Sequence, residues 1–167
     1  MLVTFLGNPV ELVGNFPKHG HSAPDFTLCD KNLNDINLSS FYGKKVVLNI
    51  FPSIDTPVCA NSVKTFNNLA REMPNTVVLC VSADLPFAQA RFIEAERLEN
   101  VSIASCFRSP TFSTSYGVNI NEGALKGLTS RAVIVFDESC SVIHSELVDE
   151  ITEEPNYENV TAAVKGA

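Results

Sequence analysis

Two short apolar runs constrain this chain more than any other feature. Residues 46–51 read Val-Val-Leu-Asn-Ile-Phe, and residues 76–82 read Thr-Val-Val-Leu-Cys-Val-Ser. Each is almost continuously apolar over the length of a strand, the pattern of strands buried on both faces of a helix-covered parallel sheet. Between them Val58, Ser62, Val63, Phe66 and Leu69 recur at helical spacing, and this stretch ends near Met73, Pro74 and Asn75. Strand, helix and strand in that order make a βαβ unit, with parallel strands and a right-handed crossover.

The junction between the first strand and the helix carries a strong start signal. Thr56 stands at the N-cap and Pro57 at the first helical position, where its missing N–H costs nothing. Cys59 is then the third helical residue, the place a capping box gives to a glutamate facing the positive helix end. A thiolate there gains from the helix dipole and from the unpaired N–H groups of the first turn. A small apolar residue packed at a helix end is the other reading of the same position. The residues alone leave both open.

The rest of the chain falls around this unit. Residues 3–6 and 10–13 flank Gly7, Asn8 and Pro9 and predict an N-terminal β-hairpin. A loop follows over 15–22, then a short strand over 26–29 and a polar turn over 30–35. Asp84 to Pro86 opens a helix through about Leu98, residues 103–107 form a short strand, and 112–116 make one helical turn. Residues 131–136 and 142–148 flank the polar turn 137–141 as an antiparallel hairpin, and 156–165 form a last helix. The order predicts an α/β fold with a mixed central sheet flanked by helices. The 167 residues suit a single domain, 1–167, with one core.

Composition excludes several function classes. A net charge of −7 with no basic stripe argues against a nucleic-acid partner. No apolar run approaches a membrane span, and the N-terminus lacks the basic and apolar regions of a signal peptide. Five cysteines, an odd number with no C-x-x-C, argue against a disulfide scaffold, a zinc ribbon or a paired redox motif. A reducing compartment, the cytoplasm, is the simpler expectation. The three histidines offer no metal-ligand pattern: His19 and His21 sit in a Gly/Pro-flanked loop, and His144 lies in a strand-like run.

Pro52-x-x-x-Thr56-x-x-Cys59 resembles the active-site motif of peroxiredoxins. The wider text over 48–56 and 77–92, with Gly7 to Val10, Leu125 to Leu128 and Arg131 to Val133, resembles the bacterial thiol peroxidase subfamily over nearly the whole chain. The resemblance implies a thioredoxin-like fold and a thiol-dependent peroxidase of hydrogen peroxide and organic hydroperoxides, with no metal or organic cofactor. It assigns Cys59 as the thiolate that attacks the peroxide and becomes a sulfenic acid. Thr56 gives a hydroxyl to thiolate and peroxide, and Pro52 shields the thiolate from water. Arg131 gives guanidinium donors; without the resemblance it opens a strand and reads rather as a surface charge. The Cys59 backbone N–H is available to a peroxide oxygen. The resemblance further implies a homodimer, with thioredoxin or glutathione/glutaredoxin as reductant. The apolar surroundings, with Phe51, Leu125 and Leu128, suit organic hydroperoxides.

The chain departs from the atypical two-cysteine members at one position. They carry the resolving cysteine directly after an Arg-Phe pair, and here Arg91-Phe92 is followed by Ile93. Glu94 and Arg97 stand where those relatives have glycines, and three residues apart in a helix they are placed to pair. This predicts a firmer helix that has lost the need to loosen. The sulfenic acid is then reduced by an external thiol in a single-cysteine cycle, by a substitute resolver with Cys106 or Cys80 as candidates, or across subunits. Cys80, inside a strand, reads as core; Cys140 reads as an exposed thiol in a turn, and Cys29 as incidental. The competing function is a redox sensor or relay that oxidises at Cys59 with little turnover.

Overall fold

The computed structural model describes residues 1–166. Strands β1 (Leu2–Phe5) and β2 (Asn8–Val13) form the N-terminal hairpin. β3 (Thr27–Cys29) and β4 (Asp35–Asn37) follow, then a 3-10 turn (Leu38–Phe41) and β5 (Lys45–Ile50). Helix α1 (Pro57–Ala70) connects β5 to β6 (Thr76–Ser82). Next come α2 (Pro86–Ala95), β7 (Ser102–Ser105) and α3, a single turn over Phe112–Ser115. β8 (Asn119–Ile120), β9 (Ala132–Phe136), β10 (Val142–Leu147) and α4 (Tyr157–Gly166) complete the order.

The main sheet has seven strands in the order β10-β9-β5-β6-β7-β3-β4. β5, β6 and β7 are parallel neighbours, and β9 pairs antiparallel with β5. The βαβ expectation therefore holds, and the sheet is mixed because the chain returns through the β9–β10 hairpin. β5 is central and covered on both faces, which is why its sequence does not alternate. Val46, Leu48 and Ile50 enter one core cluster, with Phe26, Phe112 and Tyr116. Val47 enters the other, with Cys59, Val63 and Phe66 of α1 and Val160 and Val164 of α4. No helix among the described residues is long and apolar enough to cross a membrane.

The N-terminal hairpin stands apart from the main sheet with β8 added at its free edge; β8 was not anticipated, being only two residues long. The turn also differs from expectation. It is Leu6-Gly7, with φ of +52° and +80°, and Asn8 and Pro9 already belong to β2. Pro9 is tolerated because it faces Thr4 at a non-hydrogen-bonded pair: the Thr4 N–H and C=O turn the other way, to Asp149 O at 2.7 Å and Ile151 N at 2.8 Å. Two glycines fasten this region to α3. At Gly14 (φ +108°) a Cβ would lie 1.9 Å from Thr114 O, and at Gly117 (φ +67°) one would lie 2.3 Å from Phe16 N.

Helix α2 is shorter than predicted, and the firmer-helix expectation needs correction. The helix ends at Ala95, and Arg97 adopts φ +54°. Arg97 N–H donates to Glu94 O at 3.2 Å and Leu98 N–H to Ile93 O at 3.0 Å, the paired bonds of a Schellman motif. Arg97 therefore stands at the left-handed position that favours glycine, where a side chain adds strain rather than helix propensity. Glu96, not Glu94, makes an ion pair here, with Lys64 at 3.4 Å. Arg97→Gly is expected to stabilise the protein by about 1 kcal/mol. Urea unfolding checks this; a midpoint that falls would show that Arg97 contributes more through its side chain than it loses in its backbone.

Candidate active site

The site is built where β5 hands over to α1. Phe51 extends β5 by one bond, its N–H to Val81 O at 3.1 Å, and its carbonyl accepts from the Thr129 hydroxyl at 2.8 Å. Pro52 is buried and Ile54 is inserted into the α1-side core. The loop is pinned by a carboxylate the sequence reading did not single out. Asp84 accepts from Ser53 Oγ and from Ile54 N–H, both at 2.7 Å, and from Ser82 Oγ at 2.5 Å. The pinned Ser53 in turn offers its carbonyl to the Thr56 hydroxyl at 3.0 Å and to the Thr56 N–H at 3.1 Å. Thr56 is the N-cap residue by position, with extended backbone, but its hydroxyl makes no capping bond.

Pro57 occupies the first turn of α1, and Cys59 follows with its side chain fully buried. Ser62 Oγ donates to Cys59 O at 2.8 Å, and Asn49 Nδ2 bridges Ser62 Oγ at 3.3 Å and Cys80 Sγ at 3.7 Å. Arg131, immediately before β9, approaches from the other side. It is 2% exposed, so the surface-charge reading is excluded. Its Nε donates to Ile151 O at 2.9 Å, and its Nη2 donates to Cys59 Sγ at 3.3 Å. Nη1 is buried and has no partner. Among the described residues no carboxylate makes an ion pair with Arg131. A buried guanidinium without a counter-charge is costly. A thiolate at Cys59 would supply that charge, with Nη1 still left without a partner.

An apolar cavity of about 280 Å³ opens beside this pair. Pro52, Thr56 and Arg131 stand in its wall, with Pro57 and Val58 from the helix start and Leu125 and Leu128 from the loop before β9. Phe5 and Leu6 of the hairpin, with Ile151 and Thr152, close the remaining side. Cys59 lies behind this wall. Phe51 is core rather than lining, in contrast to the expectation that grouped it with Leu125 and Leu128.

The structure thus brings Pro52, Thr56, Cys59 and Arg131 together and buries the thiols of the candidate resolvers. Cys80 shares the core layer of Cys59, but burial pushes its thiol up to about 12. Cys106 packs against the opposite layer, and burial pushes its thiol up to about 11. Both stay protonated near neutral pH and are poor attacking thiols in the folded chain. Cys29 is buried, and Cys140 is half-buried in its turn at φ +65°, less open than its sequence suggested. Ile93 is half-buried against the Cys59-side core, with Phe92 and Leu98 beside it in the same cluster.

Asp84→Ala is expected to free the 53–56 loop, lowering kcat/KM for peroxide about tenfold and stability by about 2 kcal/mol. Parallel steady-state and urea measurements check this. An unchanged kcat/KM beside lowered stability would confine Asp84 to a structural role.

Comparison with known proteins places this arrangement. The family model described as Redoxin matches residues 18–161. Thiol peroxidases from two strains of Vibrio cholerae are each 56% identical over 160 residues, which covers 96% of this chain and 98% of each relative. The crystal structure of a peroxiredoxin-like protein from Aquifex aeolicus superposes with a TM-score of 0.93 at 44% identity, covering 99% of this chain and 96% of that one. A thiol peroxidase from Chromobacterium violaceum shares the fold, with a TM-score of 0.92 at 24% identity over the same shares of the two chains. The thioredoxin-like sheet and the relatives it matches agree with the sequence motif, and the chain belongs to the Redoxin family, within its peroxiredoxin-type thiol peroxidases.

Proposed function

We propose that this thiol-dependent peroxidase works through Cys59. The observation that carries the reading is the 3.3 Å approach of the buried, otherwise uncompensated Arg131 guanidinium, which lines an apolar cavity, to Cys59 Sγ behind the cavity wall. The Cys59 thiolate attacks one oxygen of R–O–O–H. An S–O bond forms, the O–O bond breaks, and the leaving oxygen departs as R–OH after taking a proton. The second Arg131 donor and the orphan amides of the first turn of α1 stabilise charge on that oxygen. Thr56 orients the peroxide, and Pro52 keeps water from the sulfur. The cavity favours organic hydroperoxides, since its apolar walls reward an apolar R group.

The resulting sulfenic acid is reduced by external thiol. The first thiol forms a mixed disulfide with Cys59 and releases water; a second restores the thiolate. Ile93 at the usual resolving position and the burial of Cys80 and Cys106 support this single-cysteine cycle. Glutathione, glutaredoxin or thioredoxin supplies the thiols, the protein acts as a homodimer, and the free cysteines favour the cytoplasm. Intact mass under non-reducing conditions tests the cycle. After one equivalent of peroxide, a sulfenic-acid trap is expected to give one adduct, on Cys59, and no disulfide. A loss of two hydrogens without an adduct would overturn it and expose a substitute resolver.

A further inference from the structure

Glu150 has no role in the chemistry above, yet its carboxylate collects five donors from two segments. Oε1 accepts from Thr4 Oγ1 at 2.9 Å and Gly7 N–H at 2.8 Å. Oε2 accepts from Leu6 N–H at 3.3 Å, Thr152 N–H at 2.9 Å and Thr152 Oγ1 at 2.6 Å. The two segments it ties, the hairpin tip and residues 151–152, form one side of the cavity beside Arg131.

The hairpin tip is unfavourable on its own terms. Leu6 takes φ +52° in a turn that suits asparagine or glycine, and its side chain is 69% exposed. A strained, exposed leucine persists where the surroundings hold it, and such outliers collect at functional sites. Here the strand pairing holds the arms of the hairpin, and the Glu150 carboxylate takes the amides of the turn itself, Leu6 and Gly7. Its acceptor bonds, chiefly from Thr152 and then from Gly7 and Thr4, hold the Glu150 carboxyl down to about 2. It is therefore ionised, and the clamp fully formed, at neutral pH.

We infer that Glu150 is a positioning residue that fixes Phe5 and Leu6 as the outer wall of the cavity and thereby sets the preference for bulky apolar hydroperoxides over hydrogen peroxide. The inference rests on the reading of Cys59 given above. An apolar R group gains from contact with the wall, whereas hydrogen peroxide has nothing to place against it. A glutamine cannot replace the clamp, because its NH₂ group faces donors where Glu150 has an acceptor.

The experiment compares kcat/KM for cumene hydroperoxide and hydrogen peroxide in wild-type protein, Glu150→Gln and Leu6→Ala. Glu150→Gln is expected to lower the ratio of the two about tenfold, through a raised KM for cumene hydroperoxide. Leu6→Ala, which leaves the carboxylate and its donors in place, is expected to lower the same ratio. Hydrogen exchange gives a readout that does not need turnover: the amides of Leu6, Gly7 and Thr152 should lose about tenfold of their protection in Glu150→Gln. A ratio within twofold of wild type in both variants would overturn the inference while leaving Cys59 untouched. An equal fall in kcat for both peroxides would also overturn it, tracing the effect to Arg131 through Ile151. A wild-type protein that turns over neither peroxide would remove the reading of Cys59 and the inference with it.

Discussion

On the proposed cycle, Cys59→Ser is expected to lose peroxide turnover by roughly 10⁴-fold or more, since the nucleophile of a covalent cycle has no substitute. The bound peroxide needs an attacking sulfur, and a serine hydroxyl offers a weak, protonated oxygen. The fold should survive. Cys59 fills a small space among Val63 and Phe66, and serine is close to it in volume. The measurement is steady-state peroxide consumption with dithiothreitol as reductant, beside the thermal unfolding midpoint. Residual activity above a tenth of wild type in folded protein would move the chemistry to another thiol.

Arg131→Lys is the second large effect. Lysine keeps the charge and loses the planar fork that lets one side chain bond Ile151 O through Nε and Cys59 Sγ through Nη2. Its ammonium can serve one of these sites at a time, and the donor left by Nη1 for the leaving oxygen disappears. Removal of a preorganised donor to developing charge costs about 10²–10³ in rate, and that is the expected fall in kcat/KM. Alkylation of Cys59 by iodoacetamide should slow in the same variant. Unchanged alkylation beside slowed peroxide reduction would assign Arg131 to the leaving oxygen alone; a fall of less than threefold in both would deny it a role.

The parts of this fold legible in the sequence are those written in local patterns. The runs at β5 and β6, the spacing along α1 and the Thr56-Pro57 start need only neighbouring residues to be read. Cys59 was placed on the helix by the same patterns. Arg131 was not: its strand-opening position suits a surface charge, and only its likeness to a known motif pointed inward. Asp84 and Glu150 were missed because each acts through bonds from backbone and hydroxyl donors far away in the chain, Asp84 from residues 53–54 and Glu150 from residues 4–7. A carboxylate before a helix or in a late loop carries no local sign of that. Arg97 was misjudged because propensity describes helix interiors, whereas the chain had already turned left-handed there.

The close approaches at Gly14 and Gly117 set a boundary on how this sequence can drift. At each, even one added carbon would overlap a carbonyl or amide of another segment, and neither backbone can yield without moving α3 away from the hairpin. That hairpin carries a wall of the cavity. In a library sampling every residue at every position, these two sites should therefore accept glycine alone, as strictly as the proposed nucleophile would keep cysteine, although neither belongs to the proposed site. Intolerance to substitution would rank them with the catalytic residues, and only the geometry tells the two kinds of constraint apart.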